Sequence, residues 1–268
     1  MKAAHVGMIT TAIVVVLSVV TIIPAFTQQN AKPEVPVMLV FDINDDNAQN
    51  LPAWCTDLSA SLEGHNVRAT VFISGKLAEQ YPQCVAIFSS SSSADKETMM
   101  IDVGSKTYSY ANLILMQDYT QALEEVRKGK DAVDRAGGDI DSRLFRAPYG
   151  STDQNIYSML SRSGIVADFS YSDHYNTYRD GNFVRFNVTS FEGAKAGPEP
   201  LLNLDSRQPV MVIFDNNSVP ISEVDKFIDR VMTGHHAQYD PKFVNASDLA
   251  QMQLTLREKA EEGEGREP

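Results

Sequence analysis

The 268-residue chain has no excess of basic charge: 23 Lys and Arg stand against 35 Asp and Glu, a formal net charge of −12. Binding a phosphate backbone needs a basic field, so nucleic acid is excluded as the main partner. Cysteine is scarce. Cys55 and Cys84 alone are too few for a disulfide scaffold and fit no CxxC zinc or redox spacing, so a hydrophobic core must hold the fold. The sequence has no internal repeat. A hydrophobic share of 43% excludes a chain disordered throughout. The length suits one large domain or two small ones, and it also suits a single α/β barrel of roughly 200 to 250 residues.

Charge is also missing locally. From Val6 to Phe26 no residue is charged, and as a helix that run reaches about 30 Å, enough to cross a bilayer core. A signal peptide has a shorter apolar region, about 7 to 15 residues, so an uncleaved anchor is favoured over a cleaved signal, with Ala25 and Thr27 marking the alternative. The expected order is therefore an N-terminal segment (1–5), a transmembrane anchor or signal peptide (6–26) and a linker (27–36) carrying Pro33 and Pro36. Either reading exports the rest of the chain, as a membrane-anchored extracytoplasmic domain or as a secreted one.

In that compartment three triplets fit the N-glycosylation pattern, at Asn187, Asn216 and Asn245. The same compartment favours a Cys55–Cys84 bridge, worth a few kcal/mol. The tail, 258–268, is acidic and without aromatics, and reads as a solvated, disordered end.

Behind the linker, short β-branched runs alternate with longer amphipathic stretches, the pattern of a parallel α/β architecture. The candidate strands are Val37 to Asp42, Val67 to Ser74, Met99 to Gly104, Leu144 to Pro148, Ile165 to Tyr171, Phe183 to Val188 and Val210 to Asp215. Helices are expected at Tyr119 to Ala136 and Thr152 to Arg162, each followed by a glycine stop. Several strands finish on a polar residue: Asp42, Ser74, Arg146, Asp168 and Asp215. In α/β barrels the C-terminal ends of the strands form the active face, although an Asp there also caps the next helix.

The motifs FDINDD (Phe41 to Asp46), GSKTYSY (Gly104 to Tyr110), FRAPYG (Phe145 to Gly150) and DFSYSD (Asp168 to Asp173) come in the order and spacing of a known family. The stretch from Pro36 to Asn217 resembles the polysaccharide deacetylase (NodB-homology) family. The resemblance implies a distorted seven-stranded (β/α) barrel over 37–257 that removes acetyl groups from polymers with a divalent metal such as zinc. Such a metal polarises the carbonyl and acidifies the attacking water, an Asp takes the proton, and a His returns it to the leaving amine.

Several positions depart from the family pattern. Asp42 matches the base, but Ile43 stands at the first metal position, Lys106 and Tyr110 stand at the two metal histidines, and Phe214 stands at the acid. What the resemblance carries over is Arg146 and Asp173, which orient the base, and Pro148 and Tyr149, whose turn offers a backbone N–H as oxyanion donor. His174 falls where the family has a Trp lining the acetyl pocket. Asp45 and Asp46 extend the acidic cluster as candidate ligand contacts; no metal site and no cofactor are expected. His235 and His236 are adjacent, and neighbours rarely point to one place.

The Lys106 ammonium is expected to take part of the metal's volume and to pair with Asp42. The functional expectation is a pseudoenzyme of the cell envelope that holds an acetylated oligosaccharide or another envelope glycan in the old cleft. The alternative is an active hydrolase of non-peptide C–N bonds that uses Asp42 with an atypical site.

Overall fold

The computed structural model describes residues 32–44, 50–91, 99–170, 209–217, 219–234 and 239–252, and the backbone alone at 179–180, 183–185 and 189–192. Residues 6–26, the tail from 258, Asn187 and the His235–His236 pair lie outside them. Among the described residues no helix is long and apolar enough to cross a membrane.

A curled, mainly parallel sheet carries the domain. Its strands are β1 (Glu34–Ile43), β2 (Ala69–Ile73), β3 (Ile101–Ser105), β4 (Leu144–Phe145), β5 (Ala167–Asp168), β6 (Arg179–Asp180), β7 (Phe183–Arg185), β8 (Thr189–Glu192), β9 (Val210–Asp215) and β10 (Asp240–Phe243). The order is β6-β7-β5-β4-β3-β2-β1-β9-β8, with β10 paired to the start of β1. All seven expected strands are present, most of them shorter than read from sequence. Among the described residues the sheet holds ten strands, where seven were expected. The additions are short and polar, and β10 contains Pro241, so none of them shows the β-branched run that marks a strand. Residues 34–36, expected as linker, already form the first part of β1.

Each central strand sorts its side chains by parity, because successive Cβ atoms point to opposite faces. On β1, Val35, Val37, Leu39, Phe41 and Ile43 join the core beneath the helices. Met38 and Val40 face the concave side with Phe72, Phe169 and Met211. On β9, Val210, Val212 and Phe214 go to the helix side, which leaves Met211 and Asp215 on the other. The concave side is filled tightly. Phe72 pairs across to Gly104, where an added Cβ would overlap the Phe72 ring.

The helices α1 (Leu51–His65), α2 (Gly75–Gln80), α3 (Pro82–Ser90), α4 (Tyr119–Ala136), α5 (Gln154–Arg162) and α6 (Ile221–Thr233) follow their strands. Asp118 caps α4 by accepting from Thr120 N and Gln121 N, and Asp153 caps α5 by accepting from Asn155 N and Ile156 N. The expected start of α5 at Thr152 therefore moves past its cap. Cys55 on α1 and Cys84 on α3 form a disulfide with Cα atoms 5.4 Å apart.

Asn216 and Asn245 are both buried, and Asn245 Nδ2 donates to the Met99 carbonyl. A glycan on the Asn245 nitrogen is incompatible with this packing, so that triplet is corrected to a structural asparagine.

Candidate ligand site at the mouth of the sheet

Parallel strands bring their C-terminal ends together, and the site is assembled from those ends. Asp42 closes the concave face of β1, and Asp215 ends β9 in register with it. Lys106 follows β3 directly and Arg146 follows β4. Arg146 N donates to the Ser105 carbonyl, which locks those two strand ends together.

Three charges interlock. Lys106 Nζ lies 3.0 Å from Asp42 Oδ1, and Arg146 Nε donates to both Asp42 oxygens at 3.2 and 3.0 Å. Arg146 Nη1 also donates to the Phe169 carbonyl at 2.6 Å, which ties in the end of β5. Lys106 is 1% exposed, the side chain of Arg146 7% and that of Asp42 13%. Burial pushes the Asp42 carboxyl upward, but the Arg146 and Lys106 charges beside it outweigh that and hold it below the usual carboxylate range. Burial lowers the Lys106 ammonium pKa more than Asp42 raises it. Removing water from an ion is costly, and here each buried cation has the same carboxylate as its counter-ion.

Asp215 completes the cluster. Its Oδ1 accepts from Asn217 N at 2.8 Å and its Oδ2 accepts from Asn44 Nδ2. Asn44 N donates to Asn216 Oδ1, so the ends of β1 and β9 are stitched by side chains as well as by the ladder. Tyr110 lies over this group, with the Lys106 ammonium 4.9 Å from its ring centroid. Its phenol is pushed up by burial and by Asp42 and Asp215, so it stays protonated and can donate. Tyr149 stands edge-on to Tyr110, with ring centroids 5.5 Å apart.

Two expectations are corrected here. Phe214, matched to the family's acid, is buried on the helix side, stacked on Phe41 at 5.3 Å. Its neighbour Asp215 is the β9 residue that reaches the site. Strand parity, phased on Asp42, is the signal in the sequence that points to Asp215. Ile43, matched to a metal position, also packs into the helix-side core and does not border the site.

The strand-end polar residues divide. Asp42, Arg146 and Asp215 converge, whereas Ser74 caps α2 by accepting from Leu77 N. Asp168 accepts from Ser170, whose hydroxyl in turn accepts from Ala147 N and so braces the Arg146 turn. Asp45, Asp46, Asp173 and His174 lie outside the described residues. Pro148 is buried inside the turn that presents Tyr149.

A profile of the polysaccharide deacetylase family matches residues 29–167. The chain belongs to the polysaccharide deacetylase family. Comparison with curated protein sequences finds no match. Among solved structures, a Mycobacterium smegmatis protein designated a polysaccharide deacetylase is 16% identical, with 85% of this chain and 93% of that one covered at a TM-score of 0.62. A Bacillus anthracis pseudoenzyme of the CE4 family is 14% identical, covering 82% and 66%, at 0.56. The peptidoglycan deacetylase PdaC of Bacillus subtilis is 16% identical, covering 89% and 98%, at 0.55. At these identities the likeness shows the fold, a curled sheet of polysaccharide deacetylase type.

The divalent metal typical of this family does not fit the residues in place. Lys106 puts a buried ammonium against the carboxylate that matches the family's base, and Ile43 is turned into the core. Tyr110 offers a protonated phenol beside them. Among the described residues no three His, Cys, Asp or Glu side chains are grouped to hold an ion.

Proposed function

We propose that this polysaccharide deacetylase-like protein is a metal-free, catalytically impaired member that binds an envelope glycan or a partner in the former active cleft. The observation that carries this reading is the 3.0 Å pair of Lys106 and Asp42. A general base works best with a pKa near the operating pH, and Asp42 is held below the ordinary carboxylate range by two cations. It is thereby a weak base. Metal assistance contributes several kcal/mol to hydrolysis of an unreactive amide, at about 1.4 kcal/mol per tenfold in rate, and no group described around Asp42 supplies an equivalent.

Export rests on the uncharged run from Val6 to Phe26, and an envelope location rests on export. The purified chain is expected to release no acetate from acetylated chitin or peptidoglycan fragments with zinc, cobalt or nickel added, while retaining measurable glycan binding. Acetate release abolished by Asp42→Asn would overturn this reading in favour of an active hydrolase.

A further inference from the structure

At the end remote from the mouth the sheet splits. The ladder between β3 and β4 is the single pair Ser105 and Phe145, at their C-terminal ends. Toward the N-terminal ends a side chain takes its place, with Ser142 Oγ donating to the Val103 carbonyl at 2.8 Å. The split holds a cavity of about 400 Å³, within the range of about 300 to 1,000 Å³ usual for small-molecule sites. Ile101, the first residue of β3, lines it, whereas Lys106 follows the last, so the cavity and the Asp42 cluster lie at opposite ends of the strand. In α/β barrels that end ordinarily serves stability alone.

Both faces of the sheet supply walls. Ile101 and Val103 come from the helix-side core, and Leu144, Val166 and Ala250 from the concave side. Val103 and Leu144 are each 7% exposed, the most of any described core residue, so this split leaves apolar surface for a hydrocarbon body to cover. One wall is held in place before any ligand arrives. Ser142 N donates to Asp134 Oδ1 at 2.8 Å, and Lys130 reaches both Asp134 and Asp141. Such preorganisation lowers the cost of binding.

Asp102 is the charged group without a counter-ion. It alternates with Ile101 and Val103 on β3, and among the described residues its hydrogen-bond partner is Ser247 alone, whose N donates to Oδ2 at 2.7 Å. The cations nearby are engaged elsewhere: Arg68 pairs with Asp248 at 3.0 Å, and at the rim Arg143 and Lys130 both pair with Asp141. Burial raises the Asp102 carboxyl pKa above its ordinary value despite the Ser247 bonds and the Arg68 charge. A buried carboxylate with no paired cation is costly, and a ligand ammonium would supply one. A neutral ligand of the same shape would not.

We propose that the cavity between β3, β4 and the helical residues 246–252 is a second ligand site, which takes a small amphipathic primary amine. Its compact apolar body fills the split in the sheet and its ammonium pairs with Asp102.

The test is ligand-observed NMR titration of the full chain with phenethylamine and, separately, with the near-isosteric phenethyl alcohol. The amine is expected to bind at least about tenfold more tightly, the difference a charge-assisted bond supplies. Asp102→Asn, which can still accept from Ser247 N, is expected to bring the two affinities together. Ala250→Phe places a ring in the cavity and is expected to abolish binding of both. Circular dichroism checks the fold of each variant, and the wild-type comparison decides the proposal if either fails to fold. Alcohol bound as tightly as amine, binding of neither, or amine binding unchanged in either folded variant overturns the proposal. The glycan-binding reading concerns the other end of the sheet and stands apart from every outcome.

Discussion

The Lys106 ammonium and the Asp42 carboxylate form a buried ion pair, 3.0 Å apart, at the place where the family resemblance sets a metal histidine beside a base. Arg146 grips the same carboxylate from the other side. One acid therefore serves as the counter-ion of two buried cations, and that asymmetry makes the two partners unequal under mutation.

Asp42→Asn strands Lys106 and Arg146 together and is expected to cost about 3 to 5 kcal/mol. Lys106→Met leaves Asp42 with Arg146 and is expected to cost less, about 1 to 3 kcal/mol. Urea unfolding of the two variants and of the double mutant measures both losses and their coupling. Equal losses, or additivity, would contradict the shared-carboxylate arrangement.

Acid should unfold the protein through the same group. Because the folded pKa of Asp42 is depressed, the folded state holds its proton less tightly than the unfolded state does. The stability it contributes is fully present above the unfolded value of about 3.9 and is lost as pH falls through the lower folded value. Denaturation midpoints measured down through that window should drop in the wild type. Asp42→Asn should show a smaller drop from a lower starting point.

Phe214→His is not expected to rebuild a catalytic acid. The side chain lies between Phe41 and Phe227 on the helix side, so an imidazole there puts an unpaired polar ring into the core. A loss of about 3 kcal/mol is expected, with no gain in acetate release. A stable Phe214→His variant with new hydrolytic activity would show that β9 is phased the other way.

The Cys55–Cys84 bridge closes a separation of 29 residues, for which loop-closure entropy predicts about 3 to 4 kcal/mol. Replacing both cysteines by alanine should lower the unfolding free energy by that order. A bridge that contributes nothing would leave the urea midpoint unchanged.

Much of the fold is legible in the sequence because its signals are local. The runs of β1, β2 and β9 are apolar on both faces, as buried parallel strands are, and α4 ends where Gly137 follows Ala136. The motif turn FRAPYG points to Arg146 and Tyr149. Lys106 is expected against Asp42 because a buried carboxylate needs a counter-charge. Less legible is anything set by the phase of a strand. Phe214 and Asp215 are neighbours in sequence but face opposite sides of the sheet, and motif matching alone selects the wrong one. A short polar strand such as β10 gives no signal, since its pairing is imposed by the N-terminal end of β1. The pairing of the strained Tyr110 and Tyr149 is equally hidden, because it depends on two turns distant in sequence meeting in space.

The most direct test is the metal content of the cleft. Elemental analysis of the purified full chain, after incubation with zinc, cobalt or nickel and removal of free ion, should find no equivalent of metal that depends on Asp42, because the Lys106 ammonium already stands against its carboxylate. One equivalent of metal bound by the wild type and lost in Asp42→Asn would contradict it.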